Sequence, residues 1–314
     1  MKILISHQTA LEYWRIYRAI PNRDKKRERR IALPAGPPVT AQVERTGLAL
    51  PLHVMLNNPA RRWQSKVMKQ HVFTGSIPAD GFIDAEDGLM LSSPEFCFLQ
   101  LAGELSQVEL IELGYELCGE YSMPVAGEQN APEWGFYNRE ALTNTKKLSA
   151  FIARMPRVKG YKNARNAMKY ILNTSASPAE TKLSIILTLP YKLGGFGLIP
   201  PELNSHIIPS KTARKTSDKS YYSCDLFWPD YSLAVEYDSD LFHTGSTRIA
   251  EDSKKRNALS LMGVTVITVT RQQLLISSEF EKEARILAGF LGKRLQFKNS
   301  EFEATHRKLR DQLF

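Results

Sequence analysis

Apolar and polar residues alternate most cleanly between Ser220 and Thr270. Two strand-like runs, Tyr221–Phe227 and Ser232–Tyr237, flank Trp228-Pro229-Asp230-Tyr231, a turn signal. A turn centred on Pro229 and Asp230 pairs Phe227 with Ser232 and sets Asp225 opposite Ala234. With a side-chain period of two, Asp225, Ala234, Glu236 and Asp238 then share one face. Asp225 and Glu236 become diagonal neighbours, roughly 7–8 Å apart at Cα, which suits two carboxylates reaching one divalent cation. Leu226, Leu233, Val235 and Tyr237 take the other face, the core side. Thr247–Met262 reads as a helix with a charged start and an apolar end, closed by Gly263. The β-branched run Val264–Val269 follows as a buried strand.

Elsewhere the pattern is helical or mixed. Ser6–Ala19 places Leu11, Trp14 and Tyr17 at helical spacing, while Met1–Ser6 is too short for a signal-peptide core. Leu50–Leu56, Val72–Ile77 and Gly88–Ser92 are predicted strands, and Ser93-Pro94-Glu95 opens a helix. Leu105–Glu120 is an amphipathic helix, and the Pro/Gly-rich stretch Tyr121–Gly135 reads as a joint. Helices are predicted over Leu142–Met155, Tyr161–Leu172 and from Ser177-Pro178-Ala179-Glu180 onward. Leu203–Ile208 adds a strand, and Glu279–Leu295 and Glu301–Leu313 are helices for packing or dimerisation. The expected architecture is an α+β first lobe over residues 1–140, with an N-terminal helix and a basic linker. An α/β lobe over 141–314 follows, with a mixed central sheet flanked by helices.

Charge narrows the partners. Lys and Arg number 42 against 33 Asp and Glu, a net +9, which favours a polyanion such as nucleic acid. The run Asn22–Arg30 (NRDKKRERR) is either a solvated connector or a phosphate-contacting arm. Lys211, Arg214, Lys215 and Lys219 crowd the segment before the acidic hairpin, and Lys254, Lys255 and Arg256 ride the helix after it. No apolar run reaches membrane-spanning length, and the three cysteines are far apart, lacking metal-ligand spacing. Both fit a protein of the cytoplasm with no membrane association. His53 and His71 lack a second ligand pair at useful spacing, so no metal site is read from them.

The ordered set D–x10–E–x–D–x4–H, then E-D-x-x-K-R-x-x-L-x-x-x-G-V-x-V, with Ser177-Pro178-Ala179-Glu180 upstream, resembles the very-short-patch-repair-like branch of the PD-(D/E)xK nuclease superfamily. The resemblance covers roughly residues 160–275 and implies a restriction-endonuclease-like fold and Mg²⁺-dependent hydrolysis of DNA, with Mn²⁺ as a substitute. Asp225 and Glu236 would be the metal ligands, since Mg²⁺ takes hard oxygen donors and keeps several waters. Glu180 would lie near the metal, although Ser177-x-x-Glu180 is equally a helix capping box. Asp238 stands where the superfamily usually has lysine, and is either a further ligand or an altered site; Lys255 and Arg256 are the candidates to supply the missing charge. His243 matches the branch's histidine and would act as general acid/base or hold a phosphate oxygen, while Ser239 replaces the branch's glycine. Upstream, Pro51-Leu52-His53-Val54-Met55, His71 and Leu89–Ala102 resemble AbiEi-like proteins, the antitoxin class of type IV toxin–antitoxin systems, over roughly residues 47–125. That second resemblance leaves open a non-catalytic DNA-binding regulator with an inert nuclease fold. A homodimer or a cognate protein partner docking on the C-terminal helices is also open.

Overall fold

The computed structural model describes residues 2–17, 32–85, 88–125, 135–212, 214, 219–238, 246–295 and 300–314. The basic run Asn22–Arg30, Lys215, Ser239 and His243 lie outside them. The chain is mixed α/β and divides into two compact units, Met1–Ile171 and Leu172–Phe314.

The described residues of the first unit form five strands and six α-helices: β1 (Ile3–Ile5), α1 (His7–Tyr17), α2 (Thr40–Glu44), β2 (Leu52–Leu56), β3 (Met68–Val72), β4 (Phe82–Asp84), β5 (Leu89–Ser92), α3 (Pro94–Leu101), α4 (Gln107–Cys118), α5 (Thr145–Ala153) and α6 (Tyr161–Ala167). Its sheet runs β3-β2-β1-β5-β4, with β2/β3 and β1/β5 parallel and β1/β2 and β4/β5 antiparallel. Ile3, Leu4 and Ile5 are buried, as an apolar run with neighbours on both sides must be. Three residues at the terminus carry too little pattern to predict this central strand. The first helix begins at His7, and its Trp14 indole donates to Ser92 O at 3.0 Å. Ser93 caps α3 by accepting from Phe96 N, with Pro94 at the first helical position. The third strand lies upstream of the predicted Val72–Ile77. Parallel pairing with β2 holds Met68–Val72, burying Met68 and Gln70 while Lys69 faces out, so polar residues were recruited that carry no strand signal of their own.

The division between units falls at Ile171, later than the 140/141 boundary expected from the Pro/Gly-rich joint. The reason is packing: α5 contacts α3, and α6 contacts both α3 and α4. Leu148, Phe151 and Ile152 complete the first core.

The second unit contains α7 (Pro178–Thr188), β6 (Glu202–Ile207), β7 (Tyr222–Trp228), β8 (Leu233–Asp238), α8 (Ser246–Leu261), β9 (Thr265–Thr270), α9 (Arg271–Leu275), α10 (Ser277–Phe290) and α11 (Ser300–Leu313). Its mixed sheet runs β6-β7-β8-β9, antiparallel except for β8/β9. Burial alternates along β7, with Tyr222, Cys224, Leu226 and Trp228 buried and the residues between them only partly so. The C-terminal helices spend apolar faces inside this unit. Phe280, Ala284 and Leu287 of α10 are buried, as are Phe302, Leu309 and Leu313 of α11, which packs on α7.

The hairpin register differs from expectation by two residues. Phe227 pairs with Ala234 and Trp228 with Leu233. Pro229–Tyr231 form a short 3-10 turn, and Ser232 returns the chain with φ +46°, so the turn takes up four residues and leaves Trp228 in the strand. A slip of two keeps every side chain on its expected face. The β7/β8 ladder ends at Leu226–Val235, and Asp225, one residue beyond it, reaches across to accept from Tyr237 N.

Candidate active site

Three carboxylates from three elements meet at the sheet of the second unit. Glu180 comes from the first turn of α7. Ser177 caps that helix, its Oγ accepting from Glu180 N at 3.1 Å. The reciprocal arm of a capping box would run from Ser177 N to the glutamate. Here the Glu180 carboxylate accepts instead from Ala176 N (2.9 Å), from the Ser177 hydroxyl (2.9 Å) and from Asn204 Nδ2 (2.7 Å). Asn204 sits in β6 with φ +48°, a left-handed conformation that asparagine tolerates well. The glutamate therefore belongs to the cap and to the acidic cluster at once. Burial raises its pKa, the three hydrogen bonds oppose that, and Glu236 adds to the rise.

Asp225 projects from β7, and its Oδ2 accepts from Tyr237 N at 2.7 Å. Its pKa stands well above the ordinary aspartate value. Burial is the first cause, followed by the charges of Glu180 and Glu236, against the Tyr237 amide and Lys255. Glu236 lies on the internal strand β8. Its Oε2 accepts from Lys255 Nζ at 2.7 Å. Its Oε1 is buried and meets no better donor than the neighbouring Cys224 thiol, a weak one. Burial, then Glu236, pushes that thiol's pKa up. Burial works against the charge on Lys255, but Glu236 first, then Cys224 and Asp225, outweigh it and raise its pKa. The lysine remains a cation.

Of the two residues proposed to replace the missing strand lysine, Lys255 enters the cluster from α8, whereas Arg256 and Lys254 are exposed on that helix. Helical geometry turns successive side chains about 100° apart, so only one of three adjacent residues faces the sheet. Asp238 ends β8 opposite Thr270, partly buried. The charges acting most strongly on Asp225 are those of Glu180, Glu236 and Lys255, and Asp238 is not among them. Lys211, Arg214 and Lys219 are exposed between β6 and β7. Sequence reasoning missed Asn204 and Cys224. Both become visible only once the β6/β7/β8 register is known.

The residues fit a hard divalent cation. Three acids and one lysine leave the cluster net negative. Glu180 and Glu236 both raise the cost of ionising Asp225, and a buried oxygen of Glu236 lacks a strong donor. A cation among these oxygens would relieve both problems.

A second cluster lies in the first unit, where His7, His53 and His71 place one ring nitrogen each within 4.8 Å of the others. His53 and His71 stand on the paired strands β2 and β3, and His7 opens α1. Burial first, then the neighbouring histidines and Lys69, holds His7 down at about 2. Burial, then His53 and Lys69, holds His71 at about 4. His53 is lowered by burial and Lys69. Burial disfavours the charged form of all three rings.

No protein-family model, curated protein or solved structure matches this chain. No helix among the described residues is long and apolar enough to cross a membrane.

Proposed function

We propose that the second unit is a metal-dependent DNA endonuclease of restriction-endonuclease-like fold. The observation that carries the reading is the convergence of Glu180, Asp225 and Glu236 from α7, β7 and β8 with Lys255 from α8. Asp225 and Glu236 would hold Mg²⁺ or Mn²⁺, with Glu180 beside them. Such an ion polarises a phosphate oxygen and lowers the pKa of a bound water.

The protein's own groups divide the remaining work. Lys255, held by its ion pair with Glu236, puts a fixed positive charge where the phosphate would gain negative charge on the way to the transition state. Glu180 is anchored by hydrogen bonds on both oxygens and, with a raised pKa, is suited to accept a proton from the attacking water. The exposed Lys211, Arg214, Lys219, Lys254 and Arg256 supply phosphate contacts whose strength falls with salt.

The test is plasmid nicking with Mg²⁺ or Mn²⁺ by wild type, Asp225→Ala and Glu236→Ala, each verified as folded by circular dichroism. Cleavage by wild type and by neither variant is expected. Equal cleavage by all three would remove the assignment. DNA retention without cleavage would favour the binding-only regulator.

A further inference from the structure

We infer that His7, His53 and His71 form a zinc site in the first unit, with the fourth coordination position filled from the adjoining cavity. The argument starts from spacing. His53 Nδ1 and His71 Nε2 lie 3.2 Å apart. Two nitrogens bound to a tetrahedral zinc at about 2.0–2.1 Å stand roughly 3.3–3.4 Å from each other. The pair is therefore set at the edge length of a zinc tetrahedron. The third nitrogen, from His7, lies within 4.8 Å of both. The His7 ring stacks on His71 with centroids 3.6 Å apart, and closing on an ion takes a rotation of His7 out of that stack.

Each ligand is held by its own backbone. Ser6 N donates to His53 O at 2.8 Å, and His53 N donates to Thr9 Oγ1 at 3.0 Å, which locks β2 to the start of α1. His71 sits one strand over, with Met55 as its partner in the parallel ladder. His7 has φ +48°, an unusual conformation for a residue with a side chain, and its N–H is fixed by Gln100 Oε1 at 3.0 Å. The ring's Nδ1 lies 3.0 Å from the buried Ser6 hydroxyl, an outer contact that sets the ring's orientation and leaves Nε2 as the ligand atom.

Donor chemistry selects the metal. Three imidazoles with no carboxylate among them suit zinc and its transition-metal neighbours, and do not suit Mg²⁺ or Ca²⁺. Three protein ligands leave one position open, and His7 and His71 both line a cavity of about 1230 Å³. Arg62, Lys69, Arg157 and Lys159 border the same cavity against one lining acid, Glu104, so its field favours an anion or hydroxide as the fourth ligand.

The experiment uses the full chain carrying Asp225→Ala and Glu236→Ala, which removes competition from the acidic cluster. After chelator treatment it is titrated with Zn²⁺ by calorimetry and with Co²⁺ by visible absorption. One zinc per chain and the intense bands of four-coordinate cobalt are expected. His53→Gln and His71→Gln should lose more than the roughly 10–100-fold that removing an outer hydrogen bond costs, while Ser6→Ala should fall within that range. His206→Gln, which alters a histidine on β6 in the second unit, should bind as the parent does. No zinc uptake, or equal uptake by the His53 and His71 variants, overturns the site. Should those variants unfold, the parent's cobalt spectrum decides, since weak six-coordinate bands or none would also overturn it.

Discussion

Each unit of this protein buries a charged cluster, and the two are built on opposite terms. In the first, Arg15 grips Glu116 through two bonds, Nε–Oε1 at 2.9 Å and Nη2–Oε2 at 2.7 Å. Met123 N adds a third donor to Glu116, and Arg139 caps the end of the same helix through Glu116 O and Gly119 O. In the second, Glu180, Asp225 and Glu236 share one lysine among the described residues, Lys255. Burial pushes both Glu116 and Asp225 toward the neutral form. Arg15 overcomes it for Glu116, whose pKa is lowered, whereas Glu180 and Glu236 reinforce it for Asp225, whose pKa is raised. In the first cluster the acid is paired, and the groups left without a partner are donors, Nε and Nη1 of Arg139. The second is left short of positive charge, which is the feature the proposed cation site rests on.

Removing Glu116 should have the largest effect on stability. Glu116→Ala leaves the partly buried Arg15 without its partner, and a loss of about 3–5 kcal/mol is expected in urea unfolding. A loss under about 1 kcal/mol would erase the contrast between the clusters. Next is Lys255→Met, which should lower DNA cleavage about 10²–10³-fold, the scale of one lost transition-state contact. Circular dichroism should show the fold unchanged, and an unaltered cleavage rate would remove Lys255 from the machinery. Ser177→Ala should cost about 1 kcal/mol by uncapping α7 and should slow cleavage by loosening Glu180. A stability loss with no change in rate would make that glutamate a cap alone.

The smallest effect has the opposite sign. Asp225→Asn keeps an acceptor for Tyr237 N and deletes a charge the fold disfavours. With chelator present it should raise stability at neutral pH, because the fold holds this carboxyl's pKa well above its ordinary value. Because the folded pKa is raised, the wild type binds more protons folded than unfolded between about pH 3.9 and that folded value. It therefore loses stability as pH rises through the window, and the variant's advantage vanishes below it. Glu116 runs the other way: its contribution is present above the unfolded carboxylate pKa and fades as pH falls through its lowered folded value. Unfolding midpoints measured from pH 3 to 7 check both signs. A stabilisation of Asp225→Asn that did not depend on pH would disconnect it from ionisation.

How much of this was legible in the sequence follows the range of the interactions. The hairpin acids and their common face were readable because alternation is local. The register was not, since it depends on whether the four-residue turn begins at Trp228 or at Pro229, and Ser232 shows no sign of its left-handed backbone. Glu180 was readable from Ser177-Pro178, and Lys255 as one of two candidates, because a helix phase cannot be set without knowing which face meets the sheet. The His7–His53–His71 cluster was invisible as a cluster. His7 looks like the start of an ordinary helix, and only the strand order β3-β2-β1 brings it beside the other two. Likewise the Pro/Gly-rich stretch suggested a joint, but α5 and α6 belong to the first core because of the apolar faces they bury.

Carrying the lysine on α8 separates two positions that a strand would tie together. A lysine two residues along β8 from Glu236 would be indexed to that acid by the backbone itself. On α8 it is indexed by Ala258 and Leu259, which seat the helix in the core. The charge can then be advanced, withdrawn or exchanged for Lys254 or Arg256 by altering how those two residues pack, with no change to the sheet that holds the acids. The spacing of acid and base in this chain is therefore an adjustable trait, open to tuning from the hydrophobic side of a helix.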